Sequence, residues 1–571
     1  MVLVGKKSVR KASKIHRVQS REYDHKRLQD FDVSQAVVDF LRQYVLMLKS
    51  EQLSGFHIDF LNQLISAIIV KFAAPEDINL ENDGENECRF LEYRTSLRNV
   101  LTSVGTFRPE LIIANIEPCV RTLCTNWSQL PIPAVEATLS IVFALADVIH
   151  FNISSADPNP VDKAARELVM MVLSSSVSCC RKKVVNLQFF EIVCRYDKLL
   201  LSDSRPVSAL LEAFLDDRGI FNDSPKVRTR AAYLFCRFIK AHRIALSKYV
   251  ETIIRRLAPL LATSPQSNSL LTECDQMFIY EATSTMIVFG SLTPELKEQY
   301  MNELVGSLME KFEMASKQLV TNPSDMNLTE RQATLHYLNN IIAYSSRITK
   351  AFSISNSMES CRCTPLFIHL MQLFLSTVSA EDAEMLDSLR QFLHRMVVCL
   401  NGEILPILPH VFKKMLSVST SLKSLHDFLI LVQQIFSKFK GRLLEIPIEI
   451  RPLFDLVWNV LSMEHDTSDE IVNRNLIYLN RVYLQMIYNA LNSDLFPMFV
   501  NAGCDFLDRL SASLLALCFS NDPVAKKLAL TALGRFIQRC REQQAWVLNS
   551  LWDNAMQVVP QVPLSQNHDP S

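Results

Sequence analysis

Apolar residues return at helical spacing along almost the whole chain. Phe40, Leu41, Tyr44, Val45 and Leu48 form one such set, and Leu101, Val104, Leu111, Ile112 and Ile116 form another that crosses a break at Pro109. Short polar breaks separate the periodic stretches: Ser54-Gly55, Pro131-Ile132-Pro133, Asp157-Pro158-Asn159-Pro160, Ser224-Pro225, Thr263 to Ser269, Thr321 to Asn327, Cys363-Thr364-Pro365 and Asn521-Asp522-Pro523. The pattern predicts about twenty amphipathic helices of ordinary length. None of the breaks is long enough to part independent domains, so residues 31–556 read as one array, between a leader over 1–30 and a polar tail over 557–571.

Two stretches within the array match. Ser224-Pro225-Lys226-Val227-Arg228 through Ala231 to Arg237-Phe238-Ile239 aligns with Asp522-Pro523-Val524-Ala525-Lys526 through Ala529 to Arg535-Phe536-Ile537. Each has a cap, a proline in the first turn, a base three residues on, an alanine three further, and Arg-Phe-Ile at the end. This resembles the second helix of a HEAT repeat, where proline starts the helix at no hydrogen-bond cost and a small residue lets the next helix approach. Degenerate repeats of helix pairs imply an all-α, HEAT-like (ARM-type) helical-repeat solenoid.

Composition supports that class and removes others. Of 571 residues only 11 are glycine, against roughly 40 at average usage. No two glycines lie closer than Gly290 and Gly306, so there is no G-x-G-x-x-G, G-x-x-x-x-G-K-[ST] or G-x-S-x-G. Dinucleotide-binding Rossmann enzymes, P-loop NTPases and α/β-hydrolases are therefore excluded on the loops they need. Hydrophobic residues make up 49% of the chain, which is too apolar for disorder. Fourteen cysteines without a signal peptide predict a reducing compartment and a soluble chain. The most apolar stretch, Ala137 to Ala146, is closed by Glu136 and Asp147, short of a membrane span.

The cysteines Cys361-x-Cys363, Cys119-x₄-Cys124 and Cys179-Cys180 lack second pairs at zinc spacing, and the twelve histidines include no H-E-x-x-H. Free thiols and structural histidines are expected, with no catalytic set, no metal site, no cofactor and no enzyme activity. In the acidic stretch Glu76 to Glu87, an EF-hand register starting at Asn79 would need a carboxylate at position 12, where Phe90 stands. A solvated loop between helices is expected there instead.

Charge is uneven behind a net −1: residues 1–30 carry +6 and the remainder −7. The leader reads as a solvated arm, or as a patch for nucleic acid or nuclear localisation. The strongest local signal is Pro225 to Leu257, where Lys226, Arg228, Arg230, Arg237, Lys240, Arg243, Lys248, Arg255 and Arg256 face only Glu251. With Val227 at 0°, the apolar Val227, Ala231, Leu234, Phe235 and Phe238 fall at about 340° to 80° and Lys226, Arg230, Arg237 and Lys240 at about 220° to 300°. Such a ridge suits a phosphate backbone, held by charge-assisted contacts and counterion release. The competing expectation is a surface balanced by acids of neighbouring repeats.

A series of ordered stretches resembles the tRNA exportins (exportin-T), a branch of the karyopherin-β family. They are Asn79 to Glu85 with Phe90 to Arg94, Phe189-Phe190-Glu191 with Arg195 to Lys198, Phe214 to Gly219, Lys226 to Phe235, Asp275 to Glu281, Leu308 to Phe312, Ser346-Arg347 with Lys350 to Ser353, and Phe392 to Met396. The resemblance is collinear over roughly 33–541. It implies a solenoid that wraps tRNA in the nucleus with Ran in its GTP form, passes the nuclear pore by contacts with pore proteins, and shuttles between nucleus and cytoplasm. Set against the family, the chain starts after the amino-terminal repeats that bind Ran and stops before the last carboxy-terminal helices, which implies a partial receptor. Candidate tRNA-backbone contacts, chosen by charge, are Lys226, Arg228, Arg230, Arg237, Lys240 and Arg243, with Arg347 and Lys350 a second choice. The alternatives are a HEAT scaffold that binds only protein partners and a partial exportin without Ran binding.

Overall fold

The computed structural model of the protein describes residues 31–542 apart from 83, 150–157, 262–269, 322–326, 355, 380–381 and 466–467. The leader over 1–30, the tail over 557–571, the Thr263 to Ser269 break and most of the Thr321 to Asn327 break lie outside the described residues. Among those described, the regular elements are 24 α-helices with short 3₁₀ turns, and there is no strand. The expected proline punctuation is visible as helix starts. Pro109, Pro160, Pro225 and Pro365 each stand in the first two positions of a helix, where the missing N–H has no partner to lose. Caps add to this: the Asn159 side chain accepts from Asp162 N at 2.8 Å, and Asp522 Oδ2 accepts from Ala525 N at 3.1 Å.

The chain divides into two compact units, Met1–Leu260 with Ser269–Phe278 and Leu261–Asn268 with Ile279–Ser571. The first holds α1 (Phe31–Leu48), α2 (Gly55–Lys71), α3 (Glu85–Gly105), α4 (Pro109–Asn126), α5 (Ile132–Ile149), α6 (Pro160–Leu173), α7 (Lys183–Arg195), α8 (Asp197–Ser202), α9 (Val207–Phe214), α10 (Pro225–His242) and α11 (Val250–Leu257). Helices α1, α3, α5, α7 and α10 pack side by side in that order, and α2, α4 and α6 form a second row behind them. Between the rows lies a continuous apolar core in which Phe190 stacks on Phe214 at 4.3 Å and Phe214 meets Phe238 at 5.2 Å. Each such side chain contributes about 1.5–3 kcal/mol by burial.

Helix α12 (Glu273–Phe289) spans the division at Phe278. The second unit continues with α13 (Pro294–Thr321), α14 (Leu328–Ile348), α15 (Ser357–Ser360), α16 (Thr364–Thr377), α17 (Ala383–Cys399), α18 (Leu408–Val418), α19 (Leu422–Phe439), α20 (Arg451–Ser462), α21 (Glu470–Asn492), α22 (Phe496–Asn501), α23 (Cys504–Leu517) and α24 (Pro523–Glu542). Here α14, α17, α19, α21 and α24 form one row, with α13, α16 and α23 packed behind their sequence neighbours. The pairing of each helix with the next in sequence and with its counterpart one repeat on is the HEAT pattern.

Helices α10 and α24, the matched pair in the sequence, occupy the same row position in their units. Their alanines do what was expected of them: Ala231 and Ala232 are 1% and 0% exposed, and Ala529 and Ala532 are both 0%. The base three residues after each proline is held against the protein, Arg228 only half-buried. Lys526 is 5% exposed, and Arg228 is engaged by backbone.

The apolar stretch of α5 does not stop at Glu136 and Asp147. The helix runs through both and is, by length and composition alone, sufficient to cross a membrane. Its interior position has a different cause. Arg94 of α3 donates to both oxygens of Glu136 at 2.9 and 2.6 Å and to the Phe72 carbonyl at 2.7 Å, while Ser140 Oγ donates to Glu136 Oε1 at 2.9 Å. A buried carboxylate satisfied in this way sits inside the rows with Leu139, Val142 and Leu145 around it.

Candidate nucleic-acid interface

Helix α10 has the two faces its sequence spacing predicts. Val227, Ala231, Leu234, Phe235 and Phe238 are buried, and Lys226, Arg230, Arg237 and Lys240 are exposed. Neighbouring α7 fixes the level of each turn. Cys194 Sγ donates to the Leu234 carbonyl at 3.3 Å, and Glu191 accepts from Arg230 Nε at 2.5 Å. Burial pushes the Cys194 thiol up to about 12, against the pull of nearby Arg237.

The predicted phosphate ligands Arg228, Arg230 and Arg347 have internal partners. Arg228 Nε donates to the Leu270 carbonyl at 2.9 Å, and its Nη1 donates to the carbonyls of Asn222 and Asp223 at 2.8 and 2.9 Å. This guanidinium ties two loops together and faces away from the ridge. At about 100° on the wheel it borders the core sector, which is the signal that could have set it apart. Arg230 shares Glu191, whose carboxylate raises the Arg230 pKa, although its side chain stays 45% exposed. In the second unit Arg347 Nη1 reaches the buried carboxylate of Glu281 at 3.1 Å, and Lys350 is exposed in the turn that follows α14. Arg243, just past the end of α10, is half-buried.

Charge alone does not pick out the aromatic partners of these cations. The Tyr233 ring stands between the ridge arginines, 4.9 Å from the Arg230 guanidinium and 6.0 Å from that of Arg237. Phe278 meets the same ring edge-on at 5.3 Å. One helix back, Arg195 lies 4.6 Å over Phe143 and pairs with Asp147 at 2.6 Å. On the wheel Tyr233 falls at about 240°, inside the cationic sector, so its place was legible; Phe143 and Arg195 come from other helices and were not.

The first part of the acidic stretch is a loop between α2 and α3, shaped by Glu81 N donating to Asn79 Oδ1 at 3.0 Å, with Glu81 3.7 Å from Lys183, whereas Glu85 and Glu87 stand in the first turn of α3, where their charge suits the helix N-terminus. All fourteen cysteines are free thiols. His394 contacts Gln434 at 2.5 Å as a hydrogen-bonded structural residue.

Two rows of paired helices with this order of packing define a karyopherin-type HEAT-repeat fold. Importin 13 in its cytosolic state matches with a TM-score of 0.63 at 12% identity, over 92% of this chain and 57% of that one. Importin β crystallised in ammonium sulfate matches with 0.50 at 11% identity, over 93% and 68%. Within that class the chain belongs to the Exportin-T family, whose model matches residues 13–563. Exportin-T of Mus musculus is 30% identical over 521 residues, 89% of this chain and 54% of the mouse protein. Exportin-T of Danio rerio is 31% identical over 526 residues, with the same two shares, and that of Arabidopsis thaliana 24% over 494 residues, 82% and 49%. The chain spans about half the length of the curated relatives it matches.

Proposed function

We propose that this chain acts as a tRNA-binding nuclear export receptor that carries tRNA from nucleus to cytoplasm with Ran in its GTP form. Membership of the Exportin-T family carries the reading. The exposed cations of α10 support it, because a repeat surface of this kind holds an RNA backbone by charge and shape without reading bases. Lys226, Arg237 and Lys240 are then the main backbone contacts and Arg230 a shared one, while Arg228 serves the loops. Arg243, Arg347 and Lys350 stay secondary candidates. Ran in its GTP form and nuclear pore proteins are the partners the reading entails, and shuttling between nucleus and cytoplasm is the localisation it entails.

The test is binding of a labelled tRNA, with and without Ran loaded with a non-hydrolysable GTP analogue. Joint reversal of Lys226, Arg230, Arg237 and Lys240 to glutamate is expected to abolish most of the affinity and to lower the salt slope by about one for each phosphate that is no longer neutralised. Unchanged affinity would end the ridge assignment. The scaffold reading is favoured by the internal pairing of Arg228, Arg230 and Arg347. Recovery of protein partners and no RNA, with nuclease-treated controls, would select it.

A further inference from the structure

The sequence wheel draws the cations as a ridge along one helix. The structure arranges arginines across helices, and each has an aromatic ring at its back. Arg195 at the end of α7 lies over Phe143 of α5, while Arg230 and Arg237 of α10 share Tyr233. The hydrogen bond from Cys194, the residue before Arg195, to the Leu234 carbonyl shows that the end of α7 meets α10 at the level of Tyr233, while Arg195 itself, 27% exposed, leans on α5. Two of the three are also steered by a carboxylate: Asp147 takes one terminal nitrogen of Arg195, and Glu191 takes Nε of Arg230.

We propose that Arg195, Arg230 and Arg237, backed by Phe143 and Tyr233, form one row that carries an RNA phosphate backbone across α7 and α10, with Tyr233 as the residue that positions two of the guanidiniums. This rests on the RNA-binding reading above and deepens it. A guanidinium held within about 6 Å of a ring face is attracted to it, so less side-chain freedom remains to be lost when it bonds a phosphate oxygen. The bond to Glu191 takes only one of the five N–H donors of Arg230, and its side chain remains 45% exposed. Arg237 is exposed, and it lies against the Tyr233 ring. Ion pairs that only linked neighbouring helices would not need the ring under Arg237, which among the described residues pairs with no carboxylate.

The row makes a demand that a charge ridge does not. Lysine would keep the charge and lose the planar fork beside the ring, so Arg195→Lys and Arg237→Lys should each weaken binding several-fold. The experiment is fluorescence anisotropy of the full chain with a fluorescein-labelled tRNA transcript across a salt series, with the melting temperature of every variant measured in parallel. Arg195→Ala is expected to weaken binding about tenfold and to lower the salt slope by about one, and Tyr233→Ala, which removes no charge, to weaken it about tenfold, with Tyr233→Phe close to wild type because the ring does the positioning. Lys248→Ala, an exposed cation outside the row, should change little.

Wild-type binding with unchanged affinity in Arg195→Ala and Tyr233→Ala overturns the row and leaves the RNA reading intact. Lysine variants equal to wild type reduce the row to simple charge and overturn it as well. A Tyr233→Ala variant that fails to fold leaves Arg195→Ala and the two lysine variants to decide. A wild-type chain that binds no tRNA overturns both this inference and the reading it rests on.

Discussion

Burial leaves the imidazole of His242, at the end of α10, 1% exposed and tilted against Phe238 with ring centres 4.8 Å apart, with neither ring nitrogen hydrogen-bonded among the described residues. Desolvation pushes its pKa below the usual value, with the Asp197 carboxylate opposing. The unfolded chain then takes up a proton near its ordinary value of about 6.5 while the folded chain does not, so this residue supports stability above that pH and the support fades as pH falls below it. His242→Leu is expected to flatten the drop in melting temperature between about pH 7.5 and 5 relative to wild type. An identical drop in the variant would assign it to other groups. The same helix shows what a single residue tells in advance. The wheel placed Val227 and Phe238 inside and Arg237 outside correctly, because those positions depend on the helix alone. It put Arg228 at the edge of the core sector but could not name its partner, the carbonyl of Leu270 42 residues on, nor show that Arg230 would pair with Glu191, 39 residues back.

At the scale of the element, spacing between helices is set by small residues. Proline marks where helices begin, and alanine and glycine mark where they touch. A Cβ built on Gly105 would stand 1.9 Å from the carbonyl oxygen of Val148, so α3 and α5 meet at that residue with no room for a side chain. Gly219 is confined in the same way, 2.5 Å from the Phe214 oxygen, which explains a glycine in the loop before α10. Gly105→Ala should force the helices apart and cost about 1–3 kcal/mol, read as a lower denaturation midpoint with an unchanged slope. A variant as stable as wild type would show that the crossing relaxes freely. The scarcity of glycine was legible as an absence of phosphate loops. That Gly105 sits at a close approach was not, since it meets the Val148 carbonyl brought there by packing, whereas Gly219 meets the carbonyl five residues before it in a tight turn.

For the whole molecule, each unit has its own core, and each repeat leans on its neighbours in the row. In such an array stability is close to a sum of local terms. Removing one partner of the buried Arg94–Glu136 pair, whose side chains are both 7% exposed, leaves an uncompensated charge and is expected to cost about 3–5 kcal/mol. Under hydrogen exchange, Arg94→Ala should lose protection in α3, α5 and their neighbours, while α19 and α21 of the second unit keep theirs. Uniform loss of protection throughout would contradict a stability built from neighbouring repeats. The division near Phe278 leaves no composition signal because it falls inside a helix whose apolar spacing continues across it.

The sequence by itself determined the all-α class, the helix starts at proline, the kinship of α10 and α24, and which side of α10 meets water. All of these follow from spacing along one chain segment and from the loss of a backbone N–H at proline. Only the tertiary structure decided which cations are held internally, which ring lies by Arg195, and why Glu136 can sit in the middle of an apolar helix. Those depend on groups some 40 or more residues apart that meet only when repeats stack. In that setting a charged side chain takes whatever carbonyl, carboxylate or ring the neighbouring helix presents.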